Sequence, residues 1–509
     1  MKRLSAITLA VCIISGFVFG DITTTGDVEP TDPATWDSQT TAYVGKTANG
    51  TMMVDGGSWV SSDTSYVGYS SGSNGNVNID GEDSGWGIYH SLTIGSEGSG
   101  MLGVTNGAGV GCGDGVMIGL SGAAIVNGAG SSLHGEGLYV DGTLDVTNGG
   151  EVGGMFSTIG STGTVTVDGV GSTWNTSFDL TVNGTLNITN GGEVSNVVET
   201  RIGGDGNVTV DGAGSTWNIR GIGLFVDGTL NITNGGEIKD NGFGMADGTK
   251  ISPDGTINFD DGILTTNTIF TGLDNLYGSG TINTKGLLSD LNLVFDSPDD
   301  LNQTLIINKH AGQNITVNLE VCNLGTLGAG FNDTASMSIS KGVTVESFDG
   351  MIGYESGSNG CVTVDGSGST WVCGDLYIGW NGAGTLEISN GGLVMVYNAR
   401  LFIDRDGDGD SFVNMSNGGM LALSGHADLS LQTFLDEIRG TDAIRFWDED
   451  TLGWEDITSA MYSEDYTLTY IDDICDDLYG YTVLTVTAVP EPATLLLFSL
   501  AGLMLRKQQ

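Results

Sequence analysis

Apolar and polar residues alternate along most of the chain in short runs, and Asp-Gly or Asn-Gly pairs end these runs. The run Val165–Val167 ends at Asp168-Gly169, and the run Leu186–Ile188 ends shortly before Asn190-Gly191. Alternation with a period of two is typical of short strands with one buried face, and Asx-Gly pairs are typical of tight turns. The pattern therefore predicts an all-β protein.

Two sequence units recur along the chain. Copies of the first unit, Val-Thr-Val-Asp-Gly-x-Gly-Ser-Thr-Trp, occupy Val165–Trp174, Val208–Trp217 and Val362–Trp371. The second unit combines Gly-Thr-Leu with Asn-Gly-Gly, and its copies occupy Gly142–Val152, Gly184–Val194, Gly228–Ile238 and Gly384–Val394. Both units place a turn after alternating apolar residues, so they are variants of one structural repeat.

The spacing of the units predicts the architecture. Val165 and Val208 are equivalent and stand 43 residues apart, and Leu186, the equivalent position of the second unit, follows Val165 by 21 residues. A propeller with 43-residue blades would need four comparable strands in each blade, and the half-repeat is the better unit. We expect a right-handed parallel β-helix, or β-solenoid, with about 21 residues per turn and a small C-terminal cap.

Stacking of such turns assigns a place to each repeated residue. Val165, Val167, Leu186 and Ile188 are expected to point inward as apolar columns. Trp174 and its equivalents are expected to cap a wide corner or cover a turn, and a role in stacking on sugar rings is the alternative. The corner asparagines are expected to hydrogen-bond to each other as an amide ladder: Asn148, Asn190, Asn234, Asn390 and Asn417.

The presence or absence of the two repeated sequence units divides the chain into segments. Asp428–Ile438 has helical spacing and Tyr481–Val486 reads as a final strand, as expected of a cap that covers the open strand edges of a solenoid. The expected layout is a signal peptide (1–20), an N-terminal lead-in or cap (21–42), a first solenoid block (43–248), a degenerate β-rich segment (249–340), a second solenoid block (341–425), the C-terminal cap (426–488) and a sorting signal with a short apolar helix (489–509).

Both ends of the chain carry export features. Met1–Gly20 has a basic start, an apolar run and a small last residue, the pattern of a secretory signal peptide cleaved after that residue. At the other end, Pro490-Glu491-Pro492 precedes the apolar stretch Ala493–Leu505 and a basic tail. As a helix this stretch spans about 20 Å, less than the ~30 Å hydrocarbon core of a bilayer. Transient membrane insertion is expected, and a tail that holds the protein in the inner membrane is the alternative.

The triplet, the apolar stretch and the basic end resemble the PEP-CTERM sorting signal of Gram-negative bacteria. This resemblance implies that an exosortase-type enzyme in the membrane cleaves near Pro490-Glu491-Pro492 and releases or re-anchors the protein. The repeats resemble those shared by autotransporter passenger proteins and PEP-CTERM proteins, with Asp-Gly-x-Gly-Ser-x-Trp followed by Gly-Thr-Leu-x-Ile-x-Asn-Gly-Gly. They imply a secreted solenoid of the cell surface or extracellular space and carry no catalytic residues.

Composition restricts the partners. The chain has 16 Lys and Arg against 62 Asp and Glu, a formal net charge of −46 at pH 7. This charge disfavours binding to nucleic acids and to anionic lipids. With 85 glycines and six prolines, the composition fits tight turns rather than disorder.

The cysteines are few for a chain of this length, and Cys12 leaves with the signal peptide. Cys361 and Cys373 flank one turn and replace threonines of an equivalent repeat, so a disulfide between them is expected in an oxidising compartment. No obvious partner exists for Cys112, Cys322 or Cys475.

A run of alternating carboxylates is the sharpest candidate site. Asp404, Asp406, Asp408 and Asp410 match the first half of a calcium loop, although Met415 stands where an EF-hand has its bidentate Glu. A solvated acidic turn is the alternative. A second group, at one corner, either collects divalent ions weakly or suits the turn, which is the favoured interpretation: Asp168, Asp211 and Asp365.

No catalytic site is expected, although many polysaccharide lyases and hydrolases are β-helices. Such enzymes need clustered Asp with Lys or Arg and an aromatic-lined groove, whereas the arginines and histidines here are scattered. No cofactor is expected apart from the calcium just considered. Two hypotheses remain: a structural or adhesive protein of the cell surface or matrix, and a secreted protein that binds or processes carbohydrate.

Overall fold

Strands make up most of the protein. The computed structural model describes residues 21–242, 248–405, 407, 409–425, 429–441 and 443–487. It is all-β, with 57% strand and 4% helix, and forms a parallel β-solenoid of about 16 turns with roughly 23 residues per turn. The expected fold is confirmed, but the turns are longer than expected. Val165 pairs with Leu186, 21 residues later, whereas Gly75 pairs with Gly100, 25 residues later.

The chain divides into two compact units, residues 1–154 and 155–509. In the first unit, each turn contributes three short strands. They are β1 (Ile22–Gly26), β2 (Val28–Glu29), β3 (Thr41–Val44), β4 (Asn49–Val54), β5 (Trp59–Ser62), β6 (Thr64–Val67), β7 (Asn74–Asp80), β8 (Gly85–Ile88), β9 (Ser91–Ile94), β10 (Ser99–Thr105), β11 (Gly109–Cys112), β12 (Gly115–Ile118), β13 (Gly122–Asn127), β14 (Ser132–His134), β15 (Gly137–Val140), β16 (Thr143–Thr147) and β17 (Glu151–Gly154).

These strands form three columns in which each strand pairs in parallel with its counterpart one turn later. The first column is β4-β7-β10-β13-β16. The second is β5-β8-β11-β14-β17, and the third is β3-β6-β9-β12-β15. At the N-terminal end, β1 and β2 run antiparallel to β4 and β3 and cover their strand edges.

The second unit has the same organisation over its first turns. Its strands up to the middle of the unit are β18 (Phe156–Ile159), β19 (Thr164–Asp168), β20 (Thr173–Thr176), β21 (Leu180–Val182), β22 (Thr185–Thr189), β23 (Glu193–Asn196), β24 (Glu199–Ile202), β25 (Asn207–Asp211), β26 (Thr216–Ile219), β27 (Gly223–Val226), β28 (Thr229–Thr233), β29 (Glu237–Asp240), β30 (Gly248–Ile251), β31 (Thr256–Thr271), β32 (Leu276–Ser289), β33 (Leu293–Phe295), β34 (Asn302–Ile307) and β35 (Asn314–Glu320).

The segment at 249–340 continues the parallel strand pairing, although its sequence no longer contains the two repeated units. The 16-residue strand β31 pairs in succession with β28, β29 and β30, so that one strand follows a whole turn. β32 then pairs with β31 along most of its length. β35 continues in parallel from β32, and β34 pairs with β35 in the antiparallel sense.

The rest of the second unit returns to stacked turns and ends in antiparallel strands. β50 (Tyr481–Val486) pairs with both β45 (Met420–Ser424) and β49 (Tyr466–Tyr470), and β48 (Gly453–Asp456) pairs with β47 (Ile444–Asp448). The helix is shorter than the expected Asp428–Ile438, whose first residue lies outside the described residues. The elements are β36 (Leu327–Ala329), β37 (Thr334–Ile339), β38 (Thr344–Glu346), β39 (Gly350–Ile352), β40 (Asn359–Asp365), β41 (Thr370–Ile378), β42 (Ala383–Ser389), β43 (Leu393–Ile403), β44 (Phe412–Met415), β45 (Met420–Ser424), α1 (Leu431–Asp436), β46 (Ile438–Gly440), β47 (Ile444–Asp448), β48 (Gly453–Asp456), β49 (Tyr466–Tyr470) and β50 (Tyr481–Val486).

The core of each unit consists of the inward residues of stacked strands. Val165, Val167, Leu186 and Ile188 are 0% exposed, as the alternation predicts. Burying such a side chain contributes about 1.5–3 kcal/mol. The outward residues between them are mostly Thr, Asn and Ser, which leaves the surface polar.

Candidate functional site

The Asp-Gly and Asn-Gly turns are joined by side-chain hydrogen bonds. Asp168 ends β19, and its Oδ1 accepts bonds of 2.7 Å from Thr189 Oγ1 and 2.6 Å from Asn190 Nδ2, both one turn later. Asparagine-to-aspartate bonds of this kind recur in the pairs Asn106–Asp80, Asn234–Asp211 and Asn390–Asp365. The corner carboxylates therefore accept hydrogen bonds from the next turn of the solenoid, in line with the favoured structural interpretation of Asp168, Asp211 and Asp365.

The serine of each Asp-Gly-x-Gly-Ser turn reaches in the opposite direction. Ser215 Oγ accepts the N–H of Gly191 on the preceding turn at 3.0 Å and donates to the carbonyl oxygen of Asp211 at 2.6 Å. The same backbone donation is found from Gly57 to Ser84, from Gly107 to Ser131 and from Gly342 to Ser369. The Asp211 turn thus binds the Asn190 turn before it and the Asn234 turn after it, in line with the two turns of the 43-residue repeat.

The amide ladder expected at the corners is formed at Asn148, whose Nδ2 donates to Asn127 Oδ1 on the preceding turn at 2.7 Å. It is not formed at Asn190, Asn234 or Asn390. Asn190 and Asn234 adopt φ of 51°, a left-handed conformation that Asn tolerates, and each donates to an aspartate rather than to another amide. An Asp turn separates the two asparagines, so they do not meet. Further amide-to-amide bonds occur on the outer strand face, where Asn258 Nδ2 donates to Asn231 Oδ1 at 2.9 Å.

The repeated tryptophans are core residues. Trp174, Trp217 and Trp371 are 0% exposed, so they do not cover a turn, and no sugar can stack on them. The indole of Trp371 donates to Ser347 Oγ at 3.0 Å. The indole N–H of Trp217 is buried with no hydrogen-bond partner among the described residues.

The acidic loop is only partly described. Asp404 is 2% exposed, has φ of 53°, and accepts the N–H of Gly409 with both carboxylate oxygens, at 3.0 and 3.2 Å. Asp410 accepts a bond from the following serine, and Asp406 and Asp408 lie outside the described residues. Across the described ranges, no three His, Cys, Asp or Glu side chains are grouped to hold a metal ion. Calcium binding by Asp404, Asp406, Asp408 and Asp410 stays a prediction.

The expected disulfide between Cys361 and Cys373 is not formed, because the two thiols lie on opposite faces of the solenoid wall. Cys361 is at an outward position of β40, whereas Cys373 is at an inward position of β41 and is 0% exposed. Burial raises the pKa of the Cys373 thiol well above its usual value. The described part of the chain has five free cysteines: Cys112, Cys322, Cys361, Cys373 and Cys475.

A cluster of charged residues that sequence reasoning missed lies in the second unit. Asp349 and Asp375 are 6% and 7% exposed, and Asp349 Oδ1 accepts the backbone N–H of Asp375 at 3.0 Å. Asp375 Oδ2 accepts the Tyr377 hydroxyl at 3.2 Å and lies 3.5 Å from Arg400 Nη1. Burial, aided by the charge of Asp375, raises the pKa of Asp349 to about 6. This cluster combines two carboxylates, a phenol and a guanidinium, but its carboxylates are almost closed to solvent.

Strand register, and not a sequence motif, brings the residues of this cluster together. Gly350 pairs with Leu376, which places the preceding residues Asp349 and Asp375 on adjacent turns, and Asp375 itself pairs with Arg400. These residues are 25 or 26 positions apart in the sequence and lie outside the two repeated sequence units. Only the pairing of strands on adjacent turns brings them together.

Aromatic side chains stack along the same turns. Tyr354 and Trp380 stack at 6.1 Å with an interplanar angle of 8°, and Tyr377 and Phe402 at 4.8 Å with 17°. Arg405 lies over the Trp380 ring at 3.6 Å. Because the ring faces meet each other or the guanidinium, these aromatic residues stabilise adjacent turns and offer little free face to a ligand.

Comparison with known proteins identifies one feature. The family described as the PEP-CTERM protein-sorting motif matches residues 488–508, which include Pro490, Glu491 and Pro492 and lie outside the described residues. No curated protein and no solved structure matches the chain. In the part of the chain that the structure describes, no helix is long and apolar enough to cross a membrane. The stretch Ala493–Leu505 lies outside the described residues. The motif implies recognition by an exosortase and marks the chain as an exported protein of the cell envelope.

Proposed function

We propose that this protein is a non-catalytic structural or adhesive component of the cell surface or extracellular matrix, built like the repeats of autotransporter passengers and held or released by an exosortase. The observation that carries this proposal is the hydrogen bonding of the Asp211 turn to the turns on both sides, because it uses the recurring Asp and Ser of the repeat to stabilise the solenoid. Asp211 and Ser215 bind the following and the preceding turn. A repeat whose recurring residues make such contacts suits a long, stable solenoid rather than a catalytic site.

The charged groups of the described residues support a role without catalysis. Asp349 and Asp375 are the carboxylates most similar to an acid–base pair, and at 6% and 7% exposure they leave little room for a substrate. His90 and His310 each lie 2.6 Å from an aspartate oxygen in surface pairs. These pairs are typical of surface electrostatics rather than of a nucleophile–base arrangement.

The proposed partner is extracellular polysaccharide. The outer strand faces carry amide and hydroxyl side chains, such as Asn231, Asn258 and Thr209, which both donate and accept hydrogen bonds as sugar hydroxyls do. The high negative charge keeps such a surface soluble. The alternative from the sequence is a carbohydrate-processing enzyme. In that case the turns around Asp349 and Asp375 would have to rearrange to open these buried carboxylates to a substrate.

The test compares cells with and without the protein and measures product release. Cells that lack the chain should lose surface cohesion or matrix retention, and the purified full chain should release no reducing ends from bacterial or algal polysaccharides. Release of reducing ends that is abolished by Asp375→Asn would overturn the non-catalytic proposal. Unchanged cohesion and matrix retention would overturn the structural role.

A further inference from the structure

Trp59 differs from every repeated tryptophan in its exposure. It lies at an outward position of β5 and is 60% exposed, whereas Trp86, at an inward position of the next strand in the column, is 0% exposed. The inward position beside Trp59 is held by Val60, at 1% exposure. Trp59 therefore contributes a large apolar ring to the outer face of the first unit rather than to its core.

The indole of Trp59 lies flat against the neighbouring strand. A Cβ on Gly85 would meet Cζ3 of the ring at 2.1 Å, and one on Gly87 would meet Cζ2 at 3.1 Å. The ring nitrogen donates to Ser61 Oγ at 3.2 Å, which fixes the orientation of the ring. One face of the indole is thus covered by the backbone of β8, and the opposite face is turned to solvent.

The next turn leaves an open space beside this ring. Gly111 pairs with Gly87, and a Cβ built on Gly111 would meet nothing within 4 Å. His134 pairs with Gly111 from the other side, but its ring leans away over Gly153, where a Cβ would lie 2.4 Å from Nδ1. The result is a groove of about 270 Å³, hereafter the Trp59 groove, lined by Trp59, Ser61, Gly87, Ile88, Tyr89, Gly111, Cys112, Gly113 and His134.

The chemistry of the Trp59 groove is apolar on its floor and polar at its rim. Hydroxyl groups come from Ser61 and Tyr89, and Tyr89 is 58% exposed. None of the lining residues is Asp, Glu, Lys or Arg, and residues 21–154 are all described. Burial raises the pKa of the Cys112 thiol to about 12, so this group adds no charge at neutral pH. In a chain of net charge −46, the groove lining has no Asp or Glu, and the carboxylate of Asp114 acts on Cys112 from outside the lining.

We propose that the Trp59 groove binds a pyranose unit of a neutral polysaccharide, with the C–H face of the sugar against the free face of Trp59. The electron-rich face of the indole attracts the positively polarised C–H groups of a pyranose, and the rim hydroxyls and imidazole can hydrogen-bond to its hydroxyls. The volume suits one or two sugar rings rather than a large ligand. A neutral chain also approaches the acidic protein without repulsion. This proposal rests on the proposed function and names its ligand class.

The experiment titrates the full chain, purified in mild detergent, with neutral hexasaccharides of β-1,4-glucose, β-1,4-mannose and α-1,4-glucose, and with an oligogalacturonate as the charged comparison. Tryptophan fluorescence and isothermal calorimetry report binding. At least one neutral hexasaccharide should bind, and Trp59→Ala should weaken its binding roughly tenfold or more. Gly111→Thr should do the same, because the added side chain enters the groove without a clash.

Two variants serve as matched controls. Gly204→Thr adds the same side chain at an exposed glycine that also has nothing within 4 Å, and Trp454→Ala removes another partly exposed tryptophan. Both should bind like the unmodified chain, and thermal unfolding should show that Gly111→Thr folds. The proposal is overturned if no neutral hexasaccharide binds, if only oligogalacturonate binds, or if binding survives Gly111→Thr. Hydrolysis of the probe would instead overturn the non-catalytic function, so the two failures are distinguishable.

Discussion

Asp211 and Asn234 lie on successive turns and are joined by a 2.6 Å hydrogen bond from the amide Nδ2 to the carboxylate Oδ1. The same oxygen accepts a 2.6 Å bond from Thr233. These bonds, with Thr233 contributing most, hold the pKa of Asp211 below its usual value. The carboxylate is thus charged in the fold and shared between two donors of the next turn.

Replacing Asp211 should weaken the junction of two turns. Asp211→Ala leaves two donors without their acceptor, and we expect the free energy of unfolding to fall by about 1–3 kcal/mol. Urea unfolding at pH 7 measures the loss, and hydrogen exchange should localise it to Asn207–Asp240. Asp205→Ala, at an exposed position, is the control. Equal effects of the two variants would contradict the role of Asp211.

Asp349 should make stability depend on pH in the opposite sense to a paired carboxylate. Its pKa is about 6 in the fold against 3.8 as reference, so the folded state binds the extra proton and stability is lost as pH rises from about 4 to 6. Asp349→Asn removes this loss. Relative to the unmodified protein, the variant should gain roughly 2–3 kcal/mol between pH 4 and pH 8. Glu346→Gln, which is exposed, should show no such gain.

The two buried indoles should respond differently to removal of their N–H group. Trp371→Phe loses the bond to Ser347, whereas Trp217→Phe removes a donor that has no partner among the described residues. Both lose similar apolar contact, so we expect Trp371→Phe to cost about 1 kcal/mol more. Thermal unfolding of the pair decides this. A larger loss for Trp217→Phe would indicate an unseen partner for that indole.

The thiols should react in the order of their exposure. Cys475 is exposed, Cys361 is half-buried, and Cys373 is buried with a strongly raised pKa. Iodoacetamide should modify Cys475 first and Cys373 only after unfolding. Mass spectrometry of the alkylated peptides, without reductant, measures this order. A disulfide-linked peptide containing Cys361 and Cys373 would contradict the placement of these residues on opposite faces.

Glu491 should be required for processing at the C-terminus. Glu491→Ala alters the sorting motif, and we expect an unprocessed form of higher mass that stays with the membrane fraction. Immunoblots of cell fractions measure the shift. Glu449→Ala, an exposed glutamate of the cap, should be processed normally. Normal processing of both variants would show that the exosortase does not read Glu491.

The periodic parts of the fold were predictable, because alternation at Val165 and Val167 leaves one buried face whatever the corner geometry. The partners at the corners were not predictable, because Asn190 meets Asp168 only once the order of the turns is known. Cys361 and Cys373 flank one turn, but strand pleating places them on opposite faces. Asp349 and Asp375 come together only through the register of strands on adjacent turns, so no local sequence motif predicts their contact.

Asp turns and Asn turns alternate from Asp168 to Asn234, and this alternation restricts how this part of the chain can change in length. Removing one turn, for instance the 21 residues from Val165 to Thr185, would bring two turns of the same kind together. Asp168 lies in the removed segment, so Asn190 would lose its acceptor. Removing or duplicating 43 residues keeps every junction intact. Between Asp168 and Asn234, the pair of turns is therefore the smallest segment whose removal leaves the Asp–Asn junctions in place.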